Sequence, residues 1–165
     1  MNIRRFDKVK DAEAVWEILD LVIAGGDTLV FAPDSPKEKM LTYWGADDKF
    51  AYVCEIDDQI VGTFYLKANQ PDLGSHVANA GYLVHPNQRG KGIAETMCKF
   101  SLHEAKNLGF KAMQFNIVIS TNEVAVRLWL KCGFEIIGRI PKAFQHKELG
   151  LVDAFVMYQW LSSND

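Results

Sequence analysis

Two glycines one residue apart, set among cations, offer the clearest chemistry in this chain: Arg89-Gly90-Lys91-Gly92-Ile93-Ala94. The apolar run Tyr82-Leu83-Val84 leads through His85-Pro86-Asn87-Gln88 into them, and a long amphipathic segment begins at about Ile93. That order reads as strand, tight loop and helix N-terminus. Glycine carries no Cβ to hold a ligand off the backbone. A first helical turn presents N–H groups without intrahelical partners at the positive end of the helix dipole, so such a turn binds anions. With Arg89 and Lys91 alongside, a pyrophosphate is the natural guest. A glycine-rich turn that merely starts a helix is the bland alternative, and these residues alone leave it open.

The spacing separates the pyrophosphate loops. A P-loop needs four residues between its glycines and then Lys-Ser/Thr, which this stretch lacks. A Rossmann turn needs a third small residue, and Gly90-Lys91-Gly92-Ile93-Ala94-Glu95 places a carboxylate there. A nucleotide-binding oxidoreductase, which would bind NAD, is therefore disfavoured. Two amides in apolar strands also point to chemistry: Asn79 in Val77-Ala78-Asn79-Ala80-Gly81-Tyr82 and Asn116 in Met113-Gln114-Phe115-Asn116-Ile117-Val118. A buried amide without partners costs about 1–3 kcal/mol, so each must bind something or stitch the strands together.

The elements that position these residues follow from periodicity. Asn2 to Phe6 reads as a first strand, and Ala12, Val15, Trp16, Leu19, Val22 and Ile23 recur at helical spacing until Gly25-Gly26. Asp27 to Pro33 is an irregular linker. Ser35-Pro36-Lys37-Glu38 has the form of a capping box with proline at the first helical position, opening a short helix to about Trp44. Phe50 to Lys67 is a hairpin turning at Asp57-Asp58-Gln59, Asn69 to His76 a polar loop, and Val77 to Val84 the strand feeding the glycine turn. Helix Ile93 to Leu108, closed by Gly109, leads to strand Met113–Val118, which a right-handed crossover should lay parallel to Val77–Val84. Thr121 or Asn122 caps a helix from Glu123 to Lys131, ended by Gly133. Strands Phe134–Ile140 and Ala154–Trp160 close the chain, with Pro141 to Gly150 as a loop between them.

Composition bounds the classes. With 165 residues, 48% of them hydrophobic, the chain suits a single domain over 1–165. A formal charge of −3 with scattered Lys and Arg gives no nucleic-acid footprint. The N-terminus lacks the apolar core of a leader and no run of about 18 apolar residues occurs. A cytoplasmic protein without membrane or nucleic-acid partners is expected. Cys54, Cys98 and Cys132 lack metal-site or disulfide spacing and read as small buried hydrophobes.

A second stretch, Asn122-Glu123-Val124-Ala125-Val126-Arg127-Leu128-Trp129-Leu130-Lys131-Cys132-Gly133-Phe134, joins the glycine turn in resembling one family. Together they are similar to the acetyl-CoA loop R/Q-x-x-G-x-G/A and the downstream N-x-x-A-x-x-L-Y-x-K-x-G-F signature of the GCN5-related N-acetyltransferase (GNAT) superfamily. The element order agrees over nearly the whole chain. The resemblance implies an α/β (α+β) fold: a mixed, mostly antiparallel sheet with a central splayed parallel strand pair, flanked by helices. It implies acetyl-CoA as co-substrate, with the pantetheine arm against the backbone of Leu83 and Val84. The amides from Arg89 through Gly90, Lys91, Gly92 and Ile93 to Ala94 would hold the pyrophosphate, and Asn122 and Trp129 would lie along the arm. No metal is needed. Strand-edge pairing into homodimers is frequent in that superfamily.

The chain departs from the pattern at Trp129, where the family's tyrosine commonly protonates the leaving thiolate; an indole N–H is too weak an acid for this. Water or Tyr82 would then serve. No acidic relay lies on Val77 to Tyr82. More narrowly, Asn79-Ala80-Gly81, Phe115-Asn116 and Ile137-Gly138-Arg139-Ile140-Pro141-Lys142-Ala143 resemble the fungal proline-analogue N-acetyltransferases. That implies a substrate-handling role for Asn79 and Asn116 and a small amino or imino acid as acceptor amine. A peptide N-terminus as acceptor, and an acyl-CoA-binding sensor without turnover, are the competing readings. The linker Gly26 to Phe31 is expected to wall the acceptor pocket, while His85 and His146 read as loop or surface residues and Asp153 as a turn residue.

Overall fold

The computed structural model describes residues 1–161. In chain order the elements are β1 (Asn2–Arg5), α1 (Ala12–Ile23), α2 (Lys37–Trp44), β2 (Phe50–Ile56), β3 (Gln59–Ala68), β4 (Val77–Val84), α3 (Ile93–Asn107), β5 (Ala112–Ile119), α4 (Glu123–Lys131), β6 (Glu135–His146) and β7 (Gly150–Trp160). They form one seven-stranded sheet in the order β1-β2-β3-β4-β5-β7-β6. Among the described residues only β4 and β5 run parallel, as a strand–helix–strand connection requires. The expected mixed sheet with one central parallel pair, flanked by helices, is the observed fold.

Each face of the sheet carries its own core. Val15, Ile18 and Leu19 of α1 pack with Met40 and Trp44 of α2 onto Val53, Tyr65 and Leu83. On the other face Met97 and Cys98 of α3 meet Phe64, Met113, Phe115 and Met157. Strands β3 and β4 serve both cores through side-chain alternation. The β2–β3 turn uses Asp57 and Asp58, both at positive φ (50° and 60°), as a two-residue hairpin of right-handed twist demands. No helix among the described residues is long and apolar enough to cross a membrane.

Three expectations are corrected. Residues 141–150 are not a loop: β6 continues to His146, and the turn occupies only 147–149 before Gly150. Pro141 sits where the β6–β7 register shifts between Ile140 and Phe144, and edge strands and bulges are where proline is tolerated. Asp153 is accordingly an interior residue of β7. Its Oδ1 accepts from the bulged Lys142 N–H at 2.8 Å, and it is ion-paired with Arg139. The capping box does not form either. Pro36 has extended ψ (144°) and precedes the helix, Glu38 makes no reciprocal cap, and the Ser35 hydroxyl is buried without a hydrogen-bond partner. Proline at the boundary displaced serine one residue outward, beyond reach of the helical amides.

Candidate active site

The parallel pair is the origin of the site. Strands β4 and β5 are in register only at Val77↔Ala112 and Ala78↔Met113, and beyond these they diverge. Asn79 stands at the point of divergence, and its Nδ2 donates to the Gln114 carbonyl at 2.9 Å, satisfying a group that the ladder has abandoned. Where β4 ends, His85-Pro86 begins a short 3₁₀ turn, Pro86–Gln88, and the chain passes through Gly90 and Gly92 at φ of 78° and 74° into α3. These left-handed conformations explain the two glycines, and a Cβ built on either would enter open space.

The open end of β4, the glycine turn and the start of α4 line one cleft of about 630 Å³, within the range of small-molecule sites. Leu83 and Val84 line it from β4, Arg89, Gly90, Gly92, Ile93 and Ala94 from the turn, and Asn122 and Trp129 from α4. Nine of the ten residues expected at the co-substrate therefore share one cavity. Lys91 is outside the lining, its Nζ donating to Gln88 Oε1 at 2.7 Å. The Asn122 side chain is a helix cap, its Oδ1 accepting from Ala125 N–H at 3.1 Å. The same residue faces the cleft, so the capping reading and the binding reading coexist: the cap fixes the rotamer while the amide nitrogen stays available.

Glu95 also lines the cleft, where a carboxylate beside an anion site would repel the ligand. Lys131 and Lys99 each reach it at 2.7 Å and hold its pKa down to about 2. The charge is thereby neutralised in place. Trp129 packs at 4.9 Å from the rings of both Tyr82 and Phe115, so it joins the aromatic core and forms the cleft wall together. Tyr82 turns its hydroxyl to Ser101 Oγ at 2.6 Å, and burial holds the phenol well above its ordinary pKa. It stays protonated at neutral pH and bound to α3.

Neither strand asparagine lines the cleft. Asn116 lies on the stretch of β5 where register with β7 shifts between Phe115 and Val118. Its Nδ2 donates to Asn69 Oδ1 at 2.7 Å, and its Oδ1 accepts from Gln114 Nε2 at 2.9 Å. The two asparagines thus share Gln114 as a partner, Asn79 at its backbone carbonyl and Asn116 at its side-chain amide. From the linker, Asp27 and Thr28 line the cleft, whereas Leu29 and Phe31 pack against the core under α1. His146 lines it too, unlike the surface residue expected; with β6 thought to end at Ile140, nothing in the sequence brought position 146 back to the site.

The comparisons agree with this geometry. The profile of the Acetyltransferase (GNAT) family matches residues 12–134. The chain is 40% identical over 102 residues, 61% of its length, to N-acetyltransferase aca1 of Schizosaccharomyces pombe. The match spans 48% of that relative, about half its length. Among solved structures, a GCN5-related N-acetyltransferase from Kribbella flavida superposes with a TM-score of 0.90 at 31% identity, covering 97% of each chain. The yncA protein of Salmonella typhimurium, solved with its cofactor acetyl-CoA, shares the fold with a TM-score of 0.86 at 21% identity, covering 100% of this chain and 96% of its own. A splayed parallel pair, a two-glycine turn at its mouth and a profile match across most of the sheet converge on one result: this chain belongs to the GNAT acetyltransferase family.

Proposed function

We propose that this protein transfers the acetyl group of acetyl-CoA, the co-substrate of its family, to the amine of a small molecule of the amino or imino acid kind. The observation that carries this reading is the single cleft shared by the glycine turn, the open end of β4 and the N-terminus of α4. The amides from Arg89 to Ala94 receive the pyrophosphate, and Leu83 and Val84 offer backbone groups to the pantetheine arm and the thioester carbonyl. Holding both reactants in the cleft supplies much of the rate.

The amine nitrogen attacks the thioester carbon directly, the carbon–sulfur bond breaks, and the nitrogen's proton passes to water. The leaving thiolate needs little help, since an ordinary thiol has a pKa of about 8.5. Trp129 and Tyr82 accordingly act as cleft wall rather than as acids. Asn79 and Asn116 serve as positioning residues from outside the cleft: Asn79 sets where β4 leaves β5, and Asn116 ties the shifted stretch of β5 to Asn69.

Release of free CoA thiol across a panel of amino acids, imino acids, polyamines and short peptides tests the reading. Turnover on a small amine is the expected result. Tight acetyl-CoA binding without turnover on any acceptor would replace it with an acyl-CoA sensor, which the tryptophan at position 129 favours. Turnover confined to peptides would make the acceptor a peptide N-terminus.

A further inference from the structure

Three carboxylates line the cleft, and two are already committed. Glu95 is held by Lys99 and Lys131, and Glu123 pairs with Arg127 at 3.7 Å. Asp27 alone has no cationic partner among the described residues. Its Oδ1 accepts from Thr28 Oγ1 at 3.0 Å, which leaves Oδ2 open.

Asp27 is brought beside a residue from far along the chain. The tip of the β6–β7 hairpin is seated on the end of α1: Lys147 N–H donates to the Gly26 carbonyl at 3.1 Å, and Lys147 Nζ donates to the Ala24 carbonyl at 3.1 Å. A Cβ on Gly26 would meet Lys147 Cβ at 2.9 Å, so the junction is close. Immediately next to these joined residues stand Asp27 on one side and His146 on the other, and both face the cleft. The ring of His146 is oriented by its own turn. Its Nδ1 accepts from Glu148 N–H at 3.1 Å and Leu149 N–H at 3.2 Å. An acceptor nitrogen carries no proton, which places the ring hydrogen on Nε2 as a donor.

We propose that Asp27 and His146, rather than the strand asparagines, are the residues that read the acceptor: the Asp27 carboxylate takes its ammonium group, and the His146 Nε2–H donates to its carboxylate. The assignment rests on the acetyl-transfer reading only for the word acceptor; the binding itself is independent of turnover. A negative group and an N–H donor at one junction select a ligand that carries a cation and an anion close together, and disfavour polyamines, which offer no acceptor to His146.

The test is binding to protein saturated with CoA, followed by ligand-observed NMR. The probes are L-proline, pyrrolidine, which has the amine alone, and cyclopentanecarboxylate, which has the carboxylate alone. Asp27→Asn should weaken L-proline and pyrrolidine tenfold or more and leave cyclopentanecarboxylate unchanged. His146→Phe should weaken L-proline and cyclopentanecarboxylate and leave pyrrolidine unchanged. CoA affinity should stay within twofold in both, which separates this role from loss of fold. Equal binding of L-proline to wild type and both variants, or no binding to any, overturns the assignment. The arms of the experiment separate the two readings: probe binding with this pattern but no CoA release keeps the subsite and removes acetyl transfer, whereas CoA release unaffected by either variant keeps acetyl transfer and removes the subsite.

Discussion

At the scale of single residues, the site depends on conformations rather than on strong acids or bases. Gly92 caps α3 at φ 74° and faces the cleft, with no atom within 4 Å of a would-be Cβ. Gly92→Ala therefore meets no clash in the protein and should cost only the left-handed conformation, about 1–2 kcal/mol. Its methyl group projects into ligand space, so acetyl-CoA affinity should fall tenfold or more by calorimetry. Gly109→Ala is the matched control: it has φ 89° and an equally empty Cβ position, but lies outside the cleft. A similar loss of stability with unchanged affinity is expected there. Asn79 shows how one side chain supports the divergence of two strands from outside the cleft. A buried amide (9% exposed) replaces the missing ladder partner of Gln114, which lets the strands part without leaving that carbonyl unpaired.

At the scale of elements, α3 and α4 are tied across the mouth of the cleft by Glu95 and Lys131, with Lys99 one turn along α3. The folded pKa of Glu95, about 2, lies below the ordinary glutamate value of about 4.3. The interaction therefore contributes stability above that ordinary value, and the contribution is lost as pH falls from about 4.3 through about 2. Melting temperature should fall on acidification over this window, and Lys131→Met should flatten the fall, because the carboxylate is then less favoured in the folded state. Asp11, lowered by Arg4, and Asp153, lowered by the Lys142 amide and Arg139, titrate in the same direction in both proteins. The difference between wild type and variant isolates Glu95; parallel curves would show that the link carries no stability.

At the scale of the whole molecule, one sheet shared by two cores makes the parts interdependent. Leu83 packs under α1 while its neighbours Tyr82 and Val84 pack towards α3, and the cleft opens where this strand ends. A ligand held there binds the folded state only, so acetyl-CoA at 100 times its Kd should add about 2.7 kcal/mol. For a chain of this size that corresponds to a rise in melting temperature of about 5–10 °C. NAD at the same concentration should give none, since the glycine spacing and Glu95 do not fit a dinucleotide turn. Equal shifts from both would return the oxidoreductase reading.

Most of the elements, and most of the residues that the structure gathers at one cleft, were legible in the sequence, because they are written in contiguous residues. Gly90 and Gly92 follow a strand and open a helix, and Asn122 opens the next one, so local spacing was enough to find them. The extent of β6 and β7 was not legible in this way. Pro141 and Lys142 look like a break, but β6 resumes its pairing with β7 from Phe144 to His146, and Asp153 bonds the bulged backbone between. The partners of Asn79 and Asn116 were equally a matter of tertiary structure, since parity along a strand says which face a side chain takes but not where neighbouring strands diverge. The placing of Asp27 and His146 on one cleft lies furthest from sequence reading: it goes with the Lys147–Gly26 hydrogen bond between segments 121 residues apart, from 26 to 147. Contacts made by chain closure over such distances leave no local periodicity, and only packing fixes them.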